Sequence, residues 1–345
     1  MDFAARLLAW HAAHGRHDLP WQHDPTPYRV WVSEVMLQQT QVQTVIGYYA
    51  RFLQRFPTVQ ALAAAPLDEV LHLWAGLGYY SRARNLHRAA QQVVGAHGGE
   101  LPLEHATLQS LPGIGRSTAA AILALSGGAR HAICDGNVRR VLARVFAIDG
   151  APGSAATQAQ LWARAEECTP HTDVAAYTQA IMDLGATLCT RSRPRCAECP
   201  VQALCRAHAE GRQAELPAKR ARRVRPQRRV YMLVARRGDG AVLLERRPPR
   251  GIWGGLWSLP EFPAVDDARQ FCARALRTPD LAPRAGAELQ HAFTHFDLAI
   301  TPLHVRCAGE GGVMDGDERL WYNAAQPERI GLPAPVQQLI DDTNR

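Results

Sequence analysis

A short basic segment divides the 345-residue chain into two parts of different character. Residues 219–229 carry one lysine and six arginines and no acidic residue. Like charges in sequence repel one another, and no apolar periodicity accompanies them, so the segment is predicted to be an exposed linker. A chain of this length also exceeds one typical domain. We therefore expect two domains, residues 1–215 and 230–345, joined by a basic linker over 216–229.

The two parts differ in the spacing of their apolar residues. Before the linker, apolar residues recur at helical spacing, for example in the runs 31–49 and 138–145, each predicted to be one helix. After it, the apolar runs 229–235 and 241–245 flank a Gly-Asp-Gly turn, which is typical of strand, turn and strand. The sequence therefore predicts a multidomain protein with an all-α domain followed by an α+β domain.

The positive charge of the chain predicts a polyanionic partner. The formal net charge of +7 equals the seven cations of the linker, and the remainder of the chain is balanced. Lys219 is the only lysine, so nearly every cation is an arginine, which forks onto phosphate oxygens and stacks on bases. No apolar run is long enough to cross a bilayer and no secretory signal opens the chain, so we expect a cytoplasmic protein without a membrane partner.

Half of the eight cysteines fall in one window, with six, two and five residues between them. They are Cys189, Cys196, Cys199 and Cys205. Four thiolates in one loop are typical of a metal site, whereas disulfides are not expected in a reducing compartment. Zinc and a [4Fe–4S] cluster both accept four thiolates. Zinc sites usually pair short C-x2-C loops, so the asymmetric spacing favours the iron–sulfur cluster.

A helix, tight turn and helix are predicted around Leu111-Pro112-Gly113-Ile114-Gly115. The two glycines let backbone N–H groups approach an anion, and the second helix adds its positive N-terminal end. Phosphate is the expected ligand of this turn, although an ordinary αα-hairpin has the same sequence pattern. The cysteine loop also offers arginines to phosphate, although a solvated basic loop would look alike. These arginines are Arg191, Arg193, Arg195 and Arg206.

Two acidic residues are candidates for acid–base chemistry. In a helical projection from Trp31, Glu34 lies at the edge of the apolar stripe. Loss of solvation there raises the pKa of a carboxyl group and keeps it protonated enough to act as an acid. A surface ion pair is the alternative for Glu34. Asp135 begins the segment Asp135-Gly136-Asn137-Val138, where capping of a helix explains it equally well.

Several segments of the chain together match one known pattern. They are Leu19-Pro20-Trp21, the segment 31–41, Gly76-Leu77-Gly78-Tyr79-Tyr80, the hairpin, Asp135-Gly136-Asn137-Val138 and the four cysteines. With them, residues 1–215 resemble the endonuclease III superfamily of helix-hairpin-helix DNA glycosylases. The full chain is similar to the adenine DNA glycosylase (MutY) family. The segments 31–41 and 76–80 are specific to this adenine branch, whereas the hairpin and the cysteines mark the superfamily.

The resemblance implies a base-excision-repair enzyme that flips and excises adenine mispaired with 8-oxoguanine or guanine. Glu34 would protonate the adenine at N7. Asp135 would stabilise the oxocarbenium sugar, electrostatically or through a transient covalent bond, and Asn137 would support both. Four further residues match positions at the base pocket or at the opened base stack. They are Trp21 and Gln179 at the pocket, and Gln39 and Tyr79 at the stack.

The lysine content predicts whether the strand is nicked. Relatives that nick carry a lysine in the hairpin helix for Schiff-base chemistry, and this chain has Ser117 there. Since Lys219 lies in the linker, a monofunctional glycosylase is predicted, which leaves an intact abasic site. His17 stands where the family often has a lysine, so any weak lyase activity attributed to that lysine should be absent.

The second part resembles the opening of a Nudix domain over residues 246–260. The glutamate-rich helix that binds Mg²⁺ in such domains is missing, because residues 267–277 have no carboxylate after Asp267, so pyrophosphate hydrolysis is not expected. The resemblance implies that the domain reads 8-oxoguanine through Phe293-Thr294-His295. Thr294 replaces the usual serine, and its added methyl group is expected to crowd the purine that its hydroxyl can bind. A turn at a strand end is the alternative.

The resemblance therefore implies a monomeric bacterial enzyme that binds double-stranded DNA with A:8-oxoguanine or A:G mispairs and acts at the nucleoid. Its predicted cofactor is a [4Fe–4S] cluster held by the loop 189–205. Two other functions stay open. One is an endonuclease III-like enzyme that nicks at oxidised pyrimidines, and the other is a non-catalytic iron–sulfur protein that binds DNA or carries electrons.

Overall fold

The computed structural model of the protein describes residues 2–151, 153–218, 224–276, 283–307 and 318–342. The chain divides into two compact units. The first comprises Met1–Ala64 and Asn85–Arg222, and the second comprises Ala65–Arg84 and Arg223–Arg345. Lys219 and the middle of the predicted linker lie outside the described residues, so the linker and its boundaries stay a prediction.

Helices dominate the chain before residue 210. They are α1 (Phe3–His14), α2 (Pro27–Leu37), α3 (Val42–Arg55), α4 (Val59–Ala64), α5 (Leu67–Trp74), α6 (Ser81–Ala96), α7 (His105–Ser110), α8 (Arg116–Gly127), α9 (Gly136–Val145), α10 (Ala155–Cys168), α11 (Val174–Asp183) and α12 (Arg206–Ala209). A π-helical turn, Leu184–Leu188, continues α11, and 3₁₀ turns cover Pro20–Gln22, Cys196–Glu198 and Gln202–Leu204. The predicted all-helical first part is confirmed.

Local sequence signals set the ends of these helices. Thr26 caps α2 by accepting a hydrogen bond from the Arg29 amide, and Pro27 follows at the first helical position. Gly128, with a left-handed φ of 67°, ends α8. Apolar residues of α1, α8, α9, α10 and α11 form a core of the first unit. Its fully buried members include Leu7, Ala120, Val138, Leu142 and Leu184.

The prediction of one helix over residues 31–49 is wrong. Helix α2 ends at Leu37 and α3 begins at Val42. Between them Gln39 has a φ of 59°, which interrupts the ladder of helical hydrogen bonds, and the Thr40 amide instead bonds the Leu37 carbonyl at 3.3 Å. The apolar spacing continues across this turn without a glycine or proline, so the pattern alone did not show the break.

The predicted hairpin is confirmed by α7, a tight turn and α8. Gly113 has a φ of 81°, and a Cβ atom added there would lie 2.8 Å from the Asn85 Cβ. The turn therefore needs glycine for both its backbone conformation and its close packing. Gly115 occupies the N-cap position of α8.

A mixed sheet with helices forms the second unit. Its strands are β1 (Gln227–Arg236), β2 (Val242–Arg246), β3 (Trp257–Ser258), β4 (Glu261–Phe262), β5 (Arg284–Ala285), β6 (Leu289–Ala292), β7 (Asp297–Arg306) and β8 (Arg319–Tyr322). The order is β3-β2-β1-β7-β5, with β4 on β1, β6 on β7 and β8 on β2. Strands β1 and β7 are parallel, with Gln227 opposite Asp297. The antiparallel pairing of Arg236 with Val242 confirms the predicted strand, turn and strand.

The second unit also contains α5 and two further helices, α13 (Val265–Ala275) and α14 (Ala334–Asp342). Helix α13 buries Ala268 and Cys272 in a core with Leu233, Leu243 and Leu303. Its acidic residues are confined to the first helical turn, in agreement with the sequence. Among the helices that the structure describes, none has the length and apolar character needed to cross a bilayer.

Candidate active site

The side chains of Glu34 and Asp135 share one partly buried environment in the first unit. Burial, and to a smaller extent the neighbouring charge of Asp135, raises the pKa of Glu34 to about 8. Burial also raises the pKa of Asp135, while backbone amides of Val138 and Asn137 and two arginines oppose the rise. The two groups therefore titrate as a pair in which Glu34 keeps its proton near neutral pH. A like charge beside Glu34 does not fit the surface ion pair considered from sequence.

Asp135 also caps helix α9, as its alternative interpretation predicted. Its Oδ1 accepts a hydrogen bond of 2.8 Å from the Val138 amide. The cap leaves Oδ2, which lies 3.4 Å from the Asn137 Nδ2. Capping and chemistry are therefore compatible, because one carboxyl oxygen fixes the group at the positive end of the helix while the other stays available.

Arg140 connects Asn137 to the start of the cysteine loop. Its Nη2 donates to the Asn137 Oδ1 and to the Gly185 carbonyl, each at 2.7 Å, and its Nε donates to the Cys189 carbonyl at 2.7 Å. A Cβ atom at Gly185 would lie 2.6 Å from the Asn137 Cβ and 3.0 Å from its carbonyl oxygen. The π-helical turn thus packs directly on Asn137, and sequence reasoning missed this connection.

The four cysteines of the loop line one cavity in the first unit. Burial raises the pKa of the Cys199 thiol to about 11 and also raises that of Cys205. Arg144, which is 2% exposed, donates to the Cys189 Sγ at 3.3 Å. Within the described ranges, no three His, Cys, Asp or Glu side chains are close enough to hold a single metal ion. The four thiols nevertheless line one shared space.

Ser117 ties the hairpin helix to the loop that precedes Asp135. Its Oγ accepts a hydrogen bond of 2.9 Å from the Cys134 amide. His17 is exposed, and its Nε2 lies 2.9 Å from the His11 carbonyl. Among the residues that the structure describes, no lysine lies near position 17 or position 117.

The residues assigned to the base pocket are held in place by separate partners. Trp21 is buried and meets the Tyr49 ring edge-on at 5.6 Å. The Gln179 amide donates to the buried Asp183 at 2.8 Å, and the Arg16 backbone amide donates to the same carboxylate at 2.8 Å. Burial alone would raise the pKa of Asp183, but the hydrogen bonds from Arg16 and the His11 ring, whose Nε2 lies 3.6 Å from the carboxylate, lower it. Gln179 therefore has a fixed orientation, in which Nε2 is already engaged.

Gln39 and Tyr79 share an unusual backbone conformation. Gln39 in the first unit and Tyr79 in the second are exposed, with φ values of 59° and 50°. Residues other than glycine rarely adopt such φ values, and those that do cluster at functional sites.

One open cleft of the second unit brings Tyr79 together with the segment Phe293-Thr294-His295. The cleft measures about 700 Å³, and we call it the aromatic cleft. Its walls also include Arg84, Arg228, Trp253 and His291. Phe293 stacks on Phe296 with 4.6 Å between ring centres, and Thr294 is exposed. Residues more than 200 positions apart meet here, which the sequence did not show.

Comparisons with known proteins agree with this architecture. Residues 32–167 match the model of the HhH-GPD superfamily of base excision DNA repair proteins, and residues 231–342 match a NUDIX domain. The chain is 35% identical to an adenine DNA glycosylase of Buchnera aphidicola, over 99% of this chain and 97% of the relative. It is 38% identical to the human adenine DNA glycosylase, over 86% of this chain and 65% of the relative.

Solved structures show the same fold for the helical part. A thermostable thymine-DNA glycosylase aligns with a TM-score of 0.55 and 26% identity, over 60% of this chain and 95% of that one. Endonuclease III in a non-covalent DNA complex aligns with a TM-score of 0.52 and 20% identity, over 60% of this chain and 94% of that one.

Proposed function

Because this chain belongs to the adenine DNA glycosylase family, we propose that its substrate is adenine mispaired with 8-oxoguanine or guanine in double-stranded DNA. The chain is a base-excision-repair enzyme that hydrolyses the N-glycosidic bond of adenine. The observation that carries the proposal is the carboxyl group of Glu34. Burial and the charge of Asp135 together raise its pKa to about 8. A proton donor beside a carboxylate suits acid-assisted cleavage of a base from its sugar.

In the proposed reaction, Glu34 gives its proton to N7 of the flipped adenine. The bond between C1′ and N9 then breaks, and its electron pair leaves with the neutral base. Asp135 carries the negative charge that stabilises the cationic sugar, and the Asn137 Nδ2, 3.4 Å away, orients the Asp135 Oδ2. Water adds to C1′ and returns a proton to Glu34, so the product is an abasic site and the active site is restored.

The aromatic cleft is the proposed reader of the opposite base. A purine edge meets hydrogen-bonding groups at Thr294 and His295, aromatic rings at Tyr79 and Phe293, and the guanidinium of Arg228 in one space. Stacking on aromatic rings accepts any base, because every base has a flat face. A correctly oriented Thr294 hydroxyl would then distinguish one base from another by the groups on its edge. The shared cleft supports a role for Tyr79 next to the lesion.

The cysteine loop is proposed to hold a [4Fe–4S] cluster through Cys189, Cys196, Cys199 and Cys205. The residues fit such a group because buried thiols with raised pKa values ionise only beside a strong positive charge, and the buried Arg144 already faces the Cys189 Sγ. When bound, a cluster of this kind supplies a rigid crosslink between its four ligands. Arg191, Arg193 and Arg195 are then presented on a stable loop for phosphate contacts, together with Gly113 and Gly115 of the hairpin.

Elemental analysis tests the cofactor separately from activity. Purified protein should contain about four iron atoms and four labile sulfides per chain, and Cys199→Ser should lose both. Zinc in place of iron would overturn the assignment.

Strand nicking is not expected, since the described residues include no lysine near Ser117 or His17. The single-turnover test uses a duplex with labelled adenine opposite 8-oxoguanine. The labelled strand should break only after heating in alkali, and borohydride should trap no covalent adduct. An unbroken strand after alkali overturns the proposed substrate, whereas a trapped adduct supports an endonuclease III-like enzyme. Glu34→Gln is the matched inactive control. The monomeric state and the location at a bacterial nucleoid stay predictions.

A further inference from the structure

Trp253 has a strained backbone in the wall of the aromatic cleft. Its φ is 53°, in the left-handed region. Aspartates tolerate this region, whereas a bulky tryptophan does so only when its surroundings enforce it. Gln39 and Tyr79, the two residues matched to the opened base stack, have the same kind of backbone. The strain at Trp253 therefore calls for a functional explanation.

The loop around Trp253 is built to hold this conformation. Gly251 and Gly255 have φ values of 96° and 77°, which glycine adopts without strain. A Cβ atom on Gly254 would lie 2.6 Å from the Pro249 carbonyl oxygen, so the loop is also tightly folded on itself. The Arg84 guanidinium donates to the Gly254 carbonyl. These contacts fix the loop from both sides, and the indole has little freedom to move.

The indole supports the ring of Phe293. The centre of the Trp253 ring system lies 5.5 Å from that of Phe293 and 5.7 Å from that of His291. His291 meets Phe293 edge-on at 4.6 Å, and Phe296 stacks on Phe293 at 4.6 Å. Aromatic pairs at these separations add directional stabilisation to their buried area. Three rings therefore pack against Phe293 and limit its movement, which also restrains the start of the segment that carries Thr294.

We propose that Trp253 is a positioning residue that sets the selectivity of this cleft for 8-oxoguanine over guanine. The inference rests on the proposed role of the cleft. 8-Oxoguanine has an N–H donor at N7 where guanine has an acceptor, and a hydroxyl group can both donate and accept, so only a hydroxyl held in one orientation at this edge distinguishes the two bases. Discrimination by a hydrogen bond needs accurate placement, and loss of the indole allows Phe293 and Thr294 to move.

The test compares Trp253 with a second tryptophan of the same region. Trp253→Ala removes the support, Trp253→Leu keeps apolar bulk without an aromatic ring, and Trp253→Phe keeps a ring. Trp257→Phe is the matched control, because Trp257 is buried in β3 and lies outside the cleft walls. Single-turnover rates at limiting enzyme are measured for adenine opposite 8-oxoguanine and opposite guanine, and thermal unfolding is recorded for each variant.

Trp253→Ala and Trp253→Leu should lower the preference for the 8-oxoguanine duplex about tenfold, with rates on the A:G duplex unchanged within about twofold. Trp253→Phe and Trp257→Phe should keep most of the preference. An unchanged preference in both Trp253→Ala and Trp253→Leu overturns the inference, as does an equal loss of rate on both duplexes in Trp253→Leu. If the unmodified protein shows no preference for 8-oxoguanine, the proposed role of the cleft fails first, which separates the two failures.

Discussion

The carboxyl groups of Glu34 and Asp135 lie in one desolvated site, where the charge on Asp135 helps to keep the proton on Glu34. The first group can thus donate while the second stays available to balance a positive sugar. The surroundings of the two residues explain this division of roles. Asp135 accepts an amide hydrogen bond at the start of α9, whereas Glu34 lies within α2 at the edge of its apolar face.

The pKa of Glu34 predicts how the reaction depends on pH. Since the pKa is about 8, the acid form predominates below that value. The single-turnover rate should be nearly constant at neutral pH and fall about tenfold per unit well above pH 8. Stopped time courses on the A:8-oxoguanine duplex, buffered at constant ionic strength, measure this profile. A rate that rises through pH 8 would contradict the role of Glu34 as the acid.

The same group predicts a stability gain when Glu34 is replaced. Its pKa is about 8 in the folded protein and 4.5 without that environment, so the folded state binds the proton more tightly. The contribution of Glu34 to stability is therefore lost as pH rises from about 4.5 to about 8. Glu34→Gln should raise the melting temperature more at pH 8 than at pH 5, while abolishing excision. An equal shift at both pH values would show that Glu34 ionises freely.

Asp135 should show separable effects on folding and chemistry. Asp135→Asn keeps a side-chain oxygen for the Val138 amide, so it should fold normally but lose excision. Asp135→Ala should also lose the cap, which costs about 1 kcal/mol. Denaturant unfolding measures the difference between the two variants. Equal stabilities would show that the cap contributes nothing.

Gly185 should tolerate no side chain. Its Cβ position lies 2.6 Å from the Asn137 Cβ, and backbone atoms of Asn137 lie within about 3 Å, so Gly185→Ala should destabilise the protein by about 1–3 kcal/mol and slow excision. Gly95→Ala is the control, because Gly95 lies in α6 with open space around its Cβ position. The control should be neutral or slightly stabilising. Single-turnover rates and urea unfolding distinguish the two.

A lysine at position 117 should let the enzyme form a covalent intermediate with the DNA. Ser117→Lys brings an amine to the start of α8, and borohydride should then trap a covalent DNA adduct that the unmodified protein does not form. Ser117→Ala controls for the lost hydrogen bond to the Cys134 amide. An adduct with Ser117→Ala would mean that the amine comes from elsewhere.

Features with a local signal could be predicted from the sequence. The hairpin glycines, the capping position of Asp135 and the strands on each side of Gly238-Asp239-Gly240 each depend on a few neighbouring residues. The desolvation of Glu34 could also be predicted from the sequence, because the apolar residues Trp31 and Val35 of α2 are buried on the face beside it.

Features that depend on tertiary contacts could not be predicted. The apolar spacing runs unbroken through Gln39, and only the folded structure shows its left-handed turn. The meeting of Tyr79 with Phe293 in one cleft joins distant parts of the chain, and no periodicity reports on such a contact. The sequence gives no signal for the role of Trp253 either, since a tryptophan in a glycine-rich segment is typical of an ordinary loop.

The close approach of Gly185 to Asn137 has a genetic consequence. Every missense change in a glycine codon adds at least one carbon to the side chain, so no such allele at this codon preserves the contact. In an organism that relies on this enzyme, these alleles would raise the spontaneous mutation rate, although the glycine that they replace takes no part in the chemistry.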